Sequence, residues 1–323
     1  MSITEALAHA RIEFRRFRII NPRLERIAEE IDVLRLVGRG SRDRWERNGC
    51  KGPRIAQKFL PVIGPSGTGK STCIKAYIES LIANGDLGDE IRPVVHVSLS
   101  SQATTKRLGS DILDEYEDPE FEQGTAGSLL RRASNAFDMA RTEVVVLDEI
   151  HHLIHNDSGG KTAWSVAETI KNMLNRGGAP LILIGTEEAK PILVNNRQLV
   201  NRSYDPIFLK PLDISVPEQN TMFQEHCGGF DLKLVEHGIF DRISGLVAGD
   251  LPACIYDVSQ GLIGVASNVF EVATEIAIRR GAACISRDDV ANAIDSWAIP
   301  LGVTDYNPIR HGPRDLQCRK VAA

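Results

Sequence analysis

A parallel β-sheet covered by helices on both faces, followed by a smaller all-helical domain, is the fold class this sequence predicts. Three observations carry it. Between residues 55 and 215, short runs of aliphatic and β-branched residues alternate with helical patterns. The clearest run, EVVVLD, is continuously apolar before its acid, as a strand buried on both faces should be. After Pro211 strand-like runs stop, and residues 217–299 read only as helices.

Ile12, Phe14, Phe17, Ile19 and Ile20 begin a helical leader. Leu24, Ile27, Ile31 and Leu34 then recur at helical spacing behind Asn21-Pro22, a good cap and first-turn pair. GRGSRDRWERNGCKGPR (Gly38 to Arg54) is polar, basic and Gly-rich, and reads as a loop. KFLPVIG is the first strand, with Pro61 weakening its middle. A helix over residues 70–83, a strand over 92–100 and helices over 104–116 and 126–140 follow. EVVVLD is the third strand, residues 161–175 a helix, PLILIGT the fourth strand and YDPIFLK a fifth. Later helices are expected at 218–227, 240–247, 251–259, 265–280 and 287–298. Pro300, Pro308 and Pro313 with little periodicity predict an extended or disordered tail. The expected divisions are a helical leader and basic loop (1–54), an α/β domain (55–215), a helical domain (216–299) and the tail (300–323).

The 323 residues suffice for one large domain, or a core domain with a smaller one. Hydrophobic content of 42% and charged content of 25% are ordinary for a soluble globular protein. No apolar run approaches a membrane span, and the first twenty residues are too charged for a signal peptide. The six cysteines are scattered without a C-x-x-C pair, which points to a reducing cytoplasm rather than to a disulfide framework or zinc ribbon. Charge is uneven: residues 1–58 hold 14 Lys and Arg against 8 Asp and Glu, while the whole chain is −5. A basic leader on an acidic body fits contact with phosphate or an acidic surface, or simply a solvated helical face.

Gly64-Pro65-Ser66-Gly67-Thr68-Gly69-Lys70-Ser71, followed by Thr72, has the spacing G-x-x-x-x-G-K-[ST] between an apolar strand and a helix. Glycines let backbone N–H groups converge on phosphates, and the following helix adds its positive end. Lys70 is placed for the β- and γ-phosphates of ATP, and the Ser71 hydroxyl for Mg²⁺. Asp148, ending an apolar strand, is the second Mg²⁺ residue, and Glu149 is placed to orient or deprotonate a water. His151, His152 and His155 crowd behind that pair. His151 and His155 are one helical turn apart, as in zinc sites, but no His-Glu-x-x-His order or third ligand at a recognisable spacing accompanies them. His152 and His155 read as decoration of a helix start or loop beside the nucleotide, and the D-E-x-H helicase lettering carries little weight.

At this point the chain resembles AAA+ ATPases, and more narrowly the transposon-encoded TniB/TnsC group, over about residues 20–300. GPSGTGKST, SSQATTKRLGSDIL, VVVLDEIHHL, LILIGTEEA, NNRQLVNRSY and GLIGVASNVFEVATEIAIRRGAACISRDDV carry the resemblance in that order. It implies an AAA+ P-loop NTPase core with a small C-terminal all-α lid, and ATP hydrolysis. Thr186 matches the polar sensor of the γ-phosphate. Arg202, with Arg197 as alternate, matches the arginine given to a neighbouring subunit's ATP. GLIGVASNV offers Asn268 where many AAA+ lids carry an arginine, and Arg279 and Arg280 lie too far along the helix, a departure that points to slow or partner-stimulated hydrolysis. The resemblance also implies assembly as rings or filaments on duplex DNA, with a target-selecting protein and a transposase as partners and no membrane. Lys106 and Arg107, in Thr104-Thr105-Lys106-Arg107, and then Thr125 in EQGTAG are the residues expected at DNA. Other readings are a replication-initiator, loader or secretion-linked AAA+ protein, a small-molecule P-loop kinase, and an ATP-binding scaffold with little turnover.

Overall fold

The computed structural model describes residues 2–19, 21–86, 88, 90–100, 104–153, 161–190, 193 and 196–314. The chain forms two compact units. One comprises Pro22–Ser66 and Lys70–Leu209, the other Met1–Asn21, Gly67–Gly69 and Lys210–Ala323.

The first of these is an α/β unit. Its elements are α2 (Pro22–Arg47), β1 (Phe59–Ile63), α3 (Lys70–Ala83), β2 (Val94–Ser98), α4 (Thr105–Glu115), α5 (Ala126–Met139), β3 (Val144–Asp148), α6 (Lys161–Asn175), β4 (Leu181–Gly185), α7 (Arg197–Val200) and β5 (Ile207–Phe208). The strands form one parallel sheet in the order β2-β3-β4-β1-β5. Successive side chains alternate between its faces. Phe59, Val145, Leu147, Leu181 and Leu183 pack with α4, α5 and α6. Leu60, Val62, Val144, Val146, Ile182 and Ile184 pack with α2 and α3. Both faces are covered, so the strands are apolar throughout. Pro61 stays inside β1 for a local reason. Phe59 and Ile63 bond toward the β5 side, whereas Lys58 and Gly64 bond toward β4. Alternation puts Pro61 on the β5 side, and β5 is only two residues long. The missing N–H therefore takes nothing from the β1–β4 ladder.

The helical reading of residues 22–34 holds but stops too early. Gly38 to Arg47, expected in a loop, continue α2 to its end. Gly38 breaks the apolar pattern because the helix lies against the start of β3. A Cβ there would stand 2.0 Å from the Glu143 carbonyl oxygen. Arg35 Nε and Arg39 Nε donate to Glu143 at 2.8 and 2.6 Å, and Gln57 Nε2 donates to the buried Ser41 hydroxyl at 2.8 Å. What composition marks as loop is helix with its polar residues used in tertiary pairs.

The second unit is helical: α1 (Ile3–Phe14), α8 (Pro217–Glu236), α9 (Leu251–Ser259), α10 (Ile263–Arg279), α11 (Arg287–Ala293), a π turn (Ile294–Ala298) and α12 (Pro308–His311). The leader thus divides. Residues 2–19 pack with the C-terminal helices, and Phe14 and Phe17 sit against Phe230, which also meets Phe270. Two more expectations change. The first C-terminal helix runs on to Glu236, and residues 240–247 are not helical. There the Asp231 carboxylate accepts the N–H groups of Ser244, Gly245 and Leu246 at 2.8, 2.7 and 3.1 Å, replacing helical bonds. Nor are residues 300–314 unstructured. Arg314 pairs with Asp257 at 2.8 Å, and Asn307 caps α12 while donating to Ala291 and Asp295. Residues 315–323 lie outside the described residues. No single helix among the described residues is long and apolar enough to cross a membrane.

Candidate functional site

The register of the sheet brings the motif residues to one end. Ile63 pairs with Gly185, and the Gly64 N–H donates to the Gly185 carbonyl at 3.1 Å. Leu147 pairs with Leu183, so Asp148 and Thr186 leave adjacent strand ends beside the loop that starts at Gly64. Carboxyl ends of central strands are where open α/β sheets gather ligands. Gly64 is required because a Cβ would meet the Leu209 carbonyl oxygen at 2.3 Å. Gly67 and Gly69 adopt φ of 80° and 89°, a region that L side chains rarely occupy.

Lys70 Nζ donates to the carbonyls of Gly64 and Pro65 at 2.7 and 2.8 Å. Burial lowers its pKa, and the nearby Glu149 and Asp148 charges oppose that. The Ser71 hydroxyl donates to Asp148 Oδ2 at 2.6 Å. Asp148 Oδ1 accepts the Glu149 N–H at 2.9 Å. Burial would raise the Asp148 pKa, but the donors on it, His96 and Ser71 foremost, hold it below the ordinary carboxylate value. Glu149 has φ of 60°, uncommon for a non-glycine, which turns the chain sharply out of β3. Its side chain is 42% exposed. Thr186 Oγ1 is buried and makes no hydrogen bond among the described residues, although Thr186 stands at the start of a short 3₁₀ turn.

One residue beside this group was missed in the sequence. His96, in β2, places Nε2 3.0 Å from Asp148 Oδ2. Asp148 Oδ2 thus has a second side-chain partner besides Ser71. A polar residue inside an otherwise apolar strand, VVHVS, is the signal that could have found it. A cleft of about 950 Å³ runs from Ser71, Asp148 and Glu149 along His96 and Val94 to Arg92 and Glu117.

The other expected residues lie elsewhere. Arg202 sits at the opposite end of β1 from the glycine loop, where its carbonyl accepts the Phe59 N–H at 3.0 Å. Its side chain has no hydrogen-bond or ion-pair partner among the described residues. Arg197 is exposed at the start of α7. Thr104 caps α4, Lys106 is exposed, and Arg107 pairs with Asp111 at 2.8 Å and Glu122 at 3.2 Å. Thr125 caps α5 by accepting from the Ser128 N–H. Asn268 is exposed on α10, and Arg280 is held by Asp289 at 2.6 Å. His155 lies outside the described residues.

The fold is shared with several solved structures. The chain is similar to the Aeropyrum pernix ORC1 protein, solved in complex with DNA (18% identity, TM-score 0.56, 87% of this chain and 66% of that one). It is similar to the Aeropyrum pernix ORC2 protein in ADPNP–ADP complexes (15%, 0.55, 83% and 67%). It is also similar to Cdc6p from Pyrobaculum aerophilum (15%, 0.55, 87% and 68%). The chain spans about two thirds of the length of each. No curated protein sequence matches it. The sequence profile of the bacterial TniB protein matches residues 48–213, just over half of the chain. With the parallel five-stranded sheet, the glycine loop and the helical C-terminal region, that match makes this chain a member of the TniB family, built on the AAA+ ATPase fold.

Proposed function

We propose that this protein is an ATP- and Mg²⁺-dependent regulator of transposition. It assembles on duplex DNA as a ring or helical filament and links a target-selecting protein to the transposase. The observation that carries the reading is the convergence of Lys70, Ser71, Asp148, Glu149 and Thr186 at one end of the sheet in a TniB chain. The DNA and nucleotides in the similar ORC structures support it.

The residues fit a magnesium nucleotide. Ser71 and Asp148 offer only oxygen, as a hard cation requires. Lys70 occupies carbonyls of its own loop, which it can exchange for phosphate oxygens. The buried, unbonded Thr186 hydroxyl has a donor to give. When bound, Mg·ATP supplies the phosphoryl group and neutralises part of its charge. Lys70 and Thr186 then donate to phosphate oxygens, Ser71 and Asp148 hold the cation, and Glu149 takes the proton of an attacking water.

Arg202 acts on a neighbour. From Phe59 to Ile63 β1 rises about 13 Å at roughly 3.3 Å per residue, which is beyond an arginine's reach to its own glycine loop. Hydrolysis then depends on assembly. Mixing tests this. Arg202→Ala subunits keep a complete nucleotide site, and Lys70→Ala subunits keep Arg202. Each alone should be inactive, and the mixture should regain turnover on DNA. A mixture as inactive as its parts refutes action in trans.

A further inference from the structure

The turn after β3 gathers more than the ATPase chemistry uses. Glu149 leaves the strand at φ 60°, and residues Ile150–Leu153 form a 3₁₀ turn. The result folds three neighbouring donors onto one another. Glu149 Oε2 lies 3.2 Å from His151 Nδ1, and the His151 and His152 rings are 4.4 Å apart between centroids. One ligand atom from each of Glu149, His151 and His152 falls within 4.8 Å of the others. The sequence drew attention to His151 and His155 at helical spacing. The turn instead unites positions i, i+2 and i+3.

Two imidazoles and a carboxylate, with coordination positions left for water, form a donor set suited to zinc and its neighbours. Magnesium prefers oxygen and keeps its waters, so it has little use for two ring nitrogens. The two donor sets next to one another, Ser71–Asp148 and Glu149–His151–His152, therefore sort cations by hardness. We propose that Glu149, His151 and His152 bind a zinc-class divalent ion, and that this ion suppresses turnover by holding the Glu149 carboxylate. The binding stands on the geometry of the turn, whereas the suppression rests on the reading of Glu149 as the base.

The probe is Co²⁺, whose visible absorption reports nitrogen coordination, added to untagged full-length protein without nucleotide. The expected result is saturable binding of one Co²⁺ per chain, displaced by Zn²⁺. His152→Ala, and His152→Gln as a bulk-preserving check on folding, should weaken it by about tenfold or more. In ATPase assays at saturating Mg²⁺, Zn²⁺ should inhibit the wild type and leave His152→Ala turning over until the zinc is about tenfold higher. No one-per-chain cobalt spectrum, or equal affinity in the variants, overturns the site. Zinc binding that leaves wild-type turnover intact overturns the suppression. A wild type with no turnover at any zinc level refutes the ATPase reading, and the cobalt spectrum still decides the site.

Discussion

Gly38→Ala and Gly40→Ala, two positions apart in α2, should move stability in opposite directions. At Gly40 nothing lies within 4 Å of where a Cβ would stand. Alanine there gains about 1 kcal/mol of helix propensity. At Gly38 a Cβ would stand 2.0 Å from the Glu143 carbonyl oxygen, 2.9 Å from its carbon and 3.1 Å from Pro180 Cδ. Two of those atoms are backbone at the start of the sheet, and a carbon–oxygen contact needs about 3.3 Å. The helix must therefore retreat by roughly 1 Å, which also strains the bonds of Arg35 and Arg39 to Glu143. Overpacking of this kind costs about 3 kcal/mol, so the net loss after the propensity gain is about 2 kcal/mol. At roughly 2–4 °C per kcal/mol, Gly40→Ala should melt about 3 °C higher and Gly38→Ala about 6 °C lower. Thermal unfolding followed by circular dichroism reads both. A Gly38→Ala protein as stable as the wild type would mean that residues 38–47 do not pack as a helix on the sheet.

Glu149→Gln should keep ATP binding and lose at least about a hundredfold in turnover, measured by phosphate release with nucleotide binding as control; persisting turnover excludes Glu149 as the base. Lys106→Ala should weaken binding to duplex DNA whatever its sequence and lower the salt slope by about 1, and an unchanged slope removes this residue from the interface. The single variant is the cleaner test, because Arg107 is already paired with Asp111 and Glu122. Burial pushes the His226 pKa down to about 4 from 6.5, although the nearby Ile263 backbone opposes this. The unfolded chain then binds the proton first, so this contribution is complete above pH 6.5 and fades as pH falls toward about 4. Denaturant unfolding should show about 2 kcal/mol lost from this group between pH 7 and pH 5, absent in His226→Gln; equal losses in both refute it.

The sheet and its site were legible because both are written locally. Strands buried on two faces are short apolar runs, and Gly64 to Ser71 and Asp148-Glu149 are short patterns of a few neighbouring residues that the sheet register brings to one end. What sequence missed depends on partners far along the chain. Gly38 reads as a breaker until the Glu143 carbonyl is opposite it. Residues 300–314 read as a tail until Arg314 meets Asp257, and residues 240–247 as a helix until Asp231 takes their N–H groups. His96 lies fifty-two residues from Asp148, and no spacing rule links them. His151 and His152 have no recognisable ligand spacing in the sequence, whereas the turn that follows the positive φ of Glu149 brings both beside its carboxylate.

ATP-dependent assembly on DNA is the central claim, and electron microscopy of the full chain with a non-hydrolysable ATP analogue tests it most directly. With duplex DNA and Mg²⁺, rings or filaments should cover the DNA and be absent without nucleotide. Particles of single chains under both conditions would contradict the account.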